Sequence, residues 1–205
     1  MLEHFNNAVT DKQLDFLINE FESLRSSVDF SDRYFDGQTL MWERVAVNKY
    51  NPALRNIVLQ MFNSTGANLA ATETVFFVRC YNPTAIHVDV DDTSPGHTYM
   101  IPLTFNTDIK TVVFKNNTTL AEFKQLISRH SKIPFKPKHN LSETINMDHC
   151  WGAKPNIVDV LELDGYAEWT KGSIIKFLRQ QIHSSSNFKT LGLEYKDYVL
   201  CHSSK

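Results

Sequence analysis

The residues best placed to do chemistry stand together at His87-Val88-Asp89. In an extended chain, side chains two apart project to the same face, so the imidazole and the carboxylate would lie side by side. Ile86, Val88 and Val90 then form an opposite, apolar face. An imidazole and a carboxylate held on one rigid strand can give two ligands to a metal ion. One further histidine would complete a two-histidine, one-carboxylate facial triad, a ligand set that leaves positions open on Fe(II). By itself the tripeptide reads first as the polar face of a surface strand, and the context downstream decides between the two.

That context is the segment GSIIKFLRQQIHSSSNFKTLGLEYKDYVLCHS, in which His183 follows an apolar run ending at Phe177 and precedes a polar turn. Lys196 opens the last apolar run. Together with Val75 to Asp92, the segment resembles the Fe(II)- and 2-oxoglutarate-dependent oxygenases. It is most similar to their prolyl-hydroxylase-like branch and to small oxygenases often met in phage genomes. The resemblance covers residues 73–205, with the stretch between 116 and 157 unmatched. Its pattern is His-x-Asp, a long gap, a distal histidine and a basic residue opening the last strand.

The resemblance implies that His87, Asp89 and His183 are the iron ligands, and that Lys196 pairs with the distal carboxylate of 2-oxoglutarate. It places Tyr81 where prolyl-hydroxylase-like members carry a tyrosine bonded to the same carboxylate, and Thr104 near a second position lining the co-substrate cavity. Arg79 lies two residues before Tyr81 and shares its face; it is open as the carboxylate partner, a substrate contact or a structural ion pair. The sequence departs from the family in three places. The turn from Tyr81 to His87 is short, Lys stands where Arg is commoner, and the spacing from His183 to Lys196 is long. The implied reaction takes 2-oxoglutarate and molecular oxygen to succinate and carbon dioxide while a substrate C–H bond is oxidised. A cation is needed at the far end of such a cavity, because an unpaired buried carboxylate is costly.

These residues need a β framework to hold them. Short apolar runs separated by turn signals fall at residues 75–81, 85–91, 97–105, 111–114, 158–163, 173–178, 181–184 and 196–202, which indicates a sandwich or jelly roll. The expected fold is mainly β with flanking N-terminal helices, a double-stranded β-helix. One domain is expected, with residues 1–72 as helical support and residues 73–205 as the jelly-roll core. Thr10 and Gln13 have the spacing of a capping box, and Leu14, Leu17, Ile18, Phe21 and Leu24 line one face of a helix over residues 10–25. Asn51-Pro52 opens a second helix whose apolar face is Leu54, Ile57, Val58, Met61 and Phe62. Both helices are expected to cover the Ile86/Val88/Val90 face. Residues 29–37 read as a turn, residues 40–47 as a strand, and Pro102 marks an edge or bulged strand. The insert at residues 116–157 is too long for a turn, and between residues 121 and 155 it carries six Lys/Arg against three acids. It is expected to be a solvated basic loop or a substrate flap.

Composition narrows the partners. A formal net charge of −2 over 205 residues gives no reason to expect nucleic acid or a membrane surface. The start lacks the layout of a signal peptide, and three widely spaced cysteines imply neither a disulfide framework nor a zinc site. A reducing, cytoplasmic setting is therefore expected. Trp151 and Trp169 are expected as packing anchors, and His97, His130, His139, His149 and His202 as surface or loop groups. The expected function is a dioxygenase using Fe(II) and 2-oxoglutarate to hydroxylate a peptide or small molecule. The alternatives are a cupin-like module that binds a metal or small acid without turnover, and a β-sandwich scaffold with a coincidental triad. Consumption of 2-oxoglutarate separates the first pair, and metal content separates the last.

Overall fold

The computed structural model describes residues 1–28, 30, 32–84, 86–89, 96–115 and 161–203. Ten strands appear among them: β1 (Glu3–Phe5), β2 (Asp32–Asp36), β3 (Thr39–Ala46), β4 (Val75–Cys80), β5 (His97–Pro102), β6 (Asn106–Phe114), β7 (Leu163–Trp169), β8 (Ile174–Leu178), β9 (His183–Ser185) and β10 (Lys196–His202). Two helices, α1 (Asp11–Ser27) and α2 (Pro52–Asn63), accompany them. Seven strands form one sheet in the order β1-β8-β5-β10-β4-β3-β2, and three form a second in the order β7-β6-β9. Every pairing is antiparallel.

Alternation along the central strands builds two apolar layers. On one face of the large sheet, Phe77, Tyr99, Ile101 and Val199 meet Leu14, Leu17 and Phe21 of α1 and Leu54, Val58 and Phe62 of α2. On the other, Val78, Met100, Phe177 and Leu200 meet Val113, Ala167 and Trp169 of the small sheet. Both faces of β4 and β10 are thus covered, and the cavity described below opens between the sheets.

The helices start as their sequences require. Gln13 N–H donates to Thr10 Oγ1 (3.3 Å) and Thr10 N–H donates to Gln13 Oε1 (2.9 Å), a complete capping box. Leu54 N–H donates to Asn51 Oδ1 at 3.0 Å, with Pro52 in the first turn of α2. On α2 the buried face takes Leu59 and leaves Ile57 exposed.

Several expectations need correction. The helices cover the outer face of the large sheet, and Ile86 is buried but lines the cavity between the sheets instead. The first 72 residues are more than helical support, since β1, β2 and β3 all join the large sheet. β2 lies in the stretch expected as a turn; its side chains are all exposed, so no burial pattern announces it. Pro102 ends β5, an interior strand between β8 and β10, at a position paired with Tyr198. β7 runs on to Trp169, well past the expected strand over 158–163. Around the His-x-Asp tripeptide the described residues form one β-bridge, His87 to His183, rather than a strand.

The insert and its proposed flap lie outside the described residues, as do His130, His139, His149, Cys150 and Trp151. β6 and β7 on either side of it are neighbours, joined at Phe114 and Leu163, and Lys115 pairs with Glu162 there. Among the described residues no helix is long and apolar enough to cross a membrane.

Candidate metal centre

Backbone pairing brings the two histidines together. His87 N–H donates to the His183 carbonyl (3.0 Å) and His183 N–H returns the bond (2.9 Å). Residues that exchange both bonds across an antiparallel pair project to the same face. Their rings accordingly lie 4.3 Å apart, centroid to centroid. Asp89, two residues on, is fixed by its own N–H to the Arg179 carbonyl at 3.1 Å. Its Oδ1 lies 3.5 Å from His87 Nε2 and 3.5 Å from His183 Nε2. One ligand atom from each of the three residues lies within 4.8 Å of the others, a group that could hold a metal ion.

Neighbouring groups orient each ligand. His183 Nδ1 sits 2.9 Å from the Gln181 carbonyl. A carbonyl only accepts, so Nδ1 carries the proton and Nε2 presents its lone pair to the centre. The Phe177 ring packs 4.6 Å from the same imidazole. Thr98 donates its hydroxyl to Asp89 Oδ2 at 2.5 Å, which leaves Oδ1 facing the histidines. With its proton committed, that hydroxyl accepts from His202 Nδ1 at 3.2 Å. His202 therefore belongs to the site, against its expectation as a surface group. Burial pushes its pKa down to about 4, with Asp89 opposing and Arg179 and Arg44 assisting, so the ring is neutral near pH 7. Burial acts against the charged forms of Asp89 and His183, but their mutual attraction prevails: the carboxyl is held well below its usual range and the imidazole above.

The triad opens into a cavity of about 440 Å³ between the sheets. Lys196, Tyr198, Leu200 and His202 face into it from alternate positions of β10. Lys196 is 3% exposed, bonds to the Ser185 hydroxyl and stands 4.2 Å from the centre of the Trp169 ring. It makes no ion pair among the described residues. Burial lowers its pKa to about 8, with Cys80 acting in the opposite sense. A buried ammonium without a carboxylate is a ready partner for an anionic ligand. Trp169 is the expected packing anchor, donating its indole N–H to Thr111 Oγ1 at 2.9 Å, and it also lines the cavity.

The other expected co-substrate residues point away. Arg79 faces α1, donating to both carboxylate oxygens of Asp197 (2.8 and 2.6 Å) and to Glu22 Oε1 (2.8 Å). Of its three readings, the structural ion pair is the one observed. Tyr81 donates its hydroxyl to Glu43 Oε1 at 2.6 Å, and Thr104 Oγ1 accepts from Asp197 N–H at 2.9 Å. None of the three lines the cavity. Strand alternation correctly makes Arg79 and Tyr81 share a face, but that face is the outer one. Tyr198, two residues beyond Lys196, does face the cavity, as does Tyr34 of β2.

No family model matches the sequence, and no curated protein is similar to it by sequence. Solved structures are similar in fold. The non-heme α-ketoglutarate-dependent epimerase SnoN from nogalamycin biosynthesis superposes with a TM-score of 0.60 at 11% identity, over 99% of this chain and 78% of that one. A prolyl hydroxylase from Trichoplax adhaerens, in complex with a hypoxia-inducible-factor peptide fragment, gives 0.56 at 7% identity over 99% and 83%. EvdO2 from Micromonospora carbonacea var. aurantiaca gives 0.55 at 13% over 99% and 86%. SnoN has also been solved with Fe3+ and α-ketoglutarate, and EvdO2 with 2-oxoglutarate. Two antiparallel sheets around a histidine-lined cavity, matched end to end by these enzymes, give this chain the jelly-roll fold of the α-ketoglutarate-dependent oxygenases, prolyl hydroxylases among them.

Proposed function

We propose that the chain is an Fe(II)- and 2-oxoglutarate-dependent dioxygenase that hydroxylates a C–H bond of a peptide or small molecule. One observation carries the reading: His87, Asp89 and His183 converge in the same cavity as Lys196, a buried cation with no carboxylate partner among the described residues. Two imidazoles and a carboxylate suit Fe(II), and the cavity on their open side leaves room for further ligands. Bound there, Fe(II) would supply the open coordination positions and redox chemistry that dioxygen activation requires.

The protein's own groups have separable tasks. His87, Asp89 and His183 hold the ion; the Gln181 carbonyl fixes the tautomer of His183, and Thr98 with His202 fixes the orientation of Asp89. Lys196 and the Ser185 hydroxyl receive the distal carboxylate of 2-oxoglutarate, with Tyr198 and Trp169 as walls. A lysine offers a point charge rather than a fork, so Ser185 and the aromatic walls orient the ligand. Phe177 and Leu200 keep the space between the two ends apolar. The overall balance is 2-oxoglutarate, dioxygen and R–H going to succinate, carbon dioxide and R–OH.

The test is succinate release from 2-oxoglutarate against a substrate panel, with Fe(II) and ascorbate present. Succinate formation by the wild type and none by His183→Ala is expected, together with loss of stoichiometric iron from that variant after anaerobic loading. Iron and 2-oxoglutarate binding without succinate from any substrate would show a binding module instead.

A further inference from the structure

A second cavity of about 380 Å³ adjoins the first, and Asp89, His202 and Arg44 line both. Arg179 stands on its wall, and Thr72 and Thr74 add hydroxyls. Nothing in the proposed reaction uses it.

Its two arginines hold donors in reserve. Among the described residues Arg179 Nε is buried without a hydrogen-bond partner, and Nη1 reaches only the Ser203 carbonyl at 3.4 Å. Among the described residues Arg179 makes no ion pair. A buried guanidinium N–H without an acceptor is costly, so the charge of Arg179 is poorly compensated where the residue lines the cavity. Arg44 gives Nε to Asp32 Oδ2 at 2.6 Å and rests on the rings of Trp42 (4.9 Å) and Phe76 (4.4 Å). Its terminal amino groups make no hydrogen bond among the described residues, and the bond from Nε together with the two ring contacts holds the guanidinium in place. Glu73 shares this wall and has interactions of its own.

We propose that Arg44 and Arg179 receive an anionic group, carboxylate or phosphoryl, carried by the molecule that reacts at the His87/Asp89/His183 centre. The naming of that molecule as substrate rests on the oxygenase reading; the anion site does not. Lys196 and His202 stand at opposite ends of β10, on the order of 20 Å apart at strand rise. The Arg44/Arg179 site adjoins the His202 end, so it is separate from the co-substrate carboxylate at Lys196. An anion seated there would bring the rest of its molecule past Asp89 to the open side of the triad.

The test reads the arginine Nε–Hε signals by NMR in the whole chain loaded with Zn(II), titrated with inorganic phosphate or acetate against chloride at equal ionic strength. Saturable shifts at Arg44 and Arg179 are expected, and they should persist in Lys196→Ala. Arg179→Gln should weaken the response at Arg44 by about tenfold or more, the loss of a charge-assisted bond. Arg44→Gln should do the same at Arg179, so one misfolded variant does not decide the outcome. A stronger response to phosphate identifies a phosphoryl group, and to acetate a carboxylate. Absence of saturable shifts with either anion, or displacement of the anion by 2-oxoglutarate, would overturn the proposal. Saturable binding in a protein that releases no succinate would overturn the oxygenase reading and leave the anion site standing.

Discussion

Lys196 is a buried cation whose charge is set by pH within a reachable range. Burial lowers its pKa to about 8. Below that value the lysine is protonated in the folded and unfolded chains alike, and the fold bears the full cost of the buried charge. Between about 8 and the ordinary lysine value the unfolded chain binds the extra proton, so stability should rise with pH across that window. Affinity for 2-oxoglutarate should run the other way. Its carboxylate needs the ammonium, so binding weakens as pH rises through about 8, with one proton taken up per ligand. Calorimetry in buffers of different ionisation enthalpy measures that uptake. Lys196→Arg, charged throughout, should flatten the profile. Lys196→Ala should weaken 2-oxoglutarate by on the order of a hundredfold or more, since removing one partner of a buried pair costs about 3–5 kcal/mol. A pH-independent affinity in the wild type would remove Lys196 from the co-substrate site.

At the level of elements, β4 and β10 hold a different buried charge on each face. Arg79 of β4 clamps Asp197 of β10 and reaches Glu22 of α1, so it ties the helix layer to the sheet. Arg79→Ala should therefore destabilise the fold by about 3–5 kcal/mol, leaving Asp197 buried and unpaired. It should leave 2-oxoglutarate affinity unchanged, measured below the variant's melting temperature. A loss of 2-oxoglutarate binding without loss of stability would reverse the roles of Arg79 and Lys196. This pair also shows how far the sequence could be read. The period of two makes Arg79 and Tyr81 companions, but VFFVRC is apolar on both faces because β4 is covered on both, so nothing local says which side is inner. β10 was legible from Lys196 to His202, and the caps of α1 and α2 from Thr10, Gln13, Asn51 and Pro52. β2, with every residue exposed, carries no apolar signal. His202, near the end of the sequence, takes its place in the site only through β10 pairing with β5, opposite Thr98.

Over the whole molecule, the triad closes a long loop of chain. His87 and His183 lie far apart in sequence and meet through a single bridge beside Asp89. An ion held by all three would bind the folded chain and not the unfolded one, adding about 2.7 kcal/mol at a hundredfold excess over its dissociation constant. For a chain of 205 residues each kcal/mol moves the melting midpoint by roughly 2–4 °C, so a shift of about 5–10 °C is expected. Scanning calorimetry with Fe(II) under anaerobic conditions measures it. Adding 2-oxoglutarate should raise the midpoint further, because a ligand spanning the ion and Lys196 would couple the triad to the opening of β10. His183→Ala should lose the response to the ion while keeping a smaller one to 2-oxoglutarate through Lys196. An equal ion-dependent shift in that variant would place the metal somewhere other than the bridge between His87 and His183.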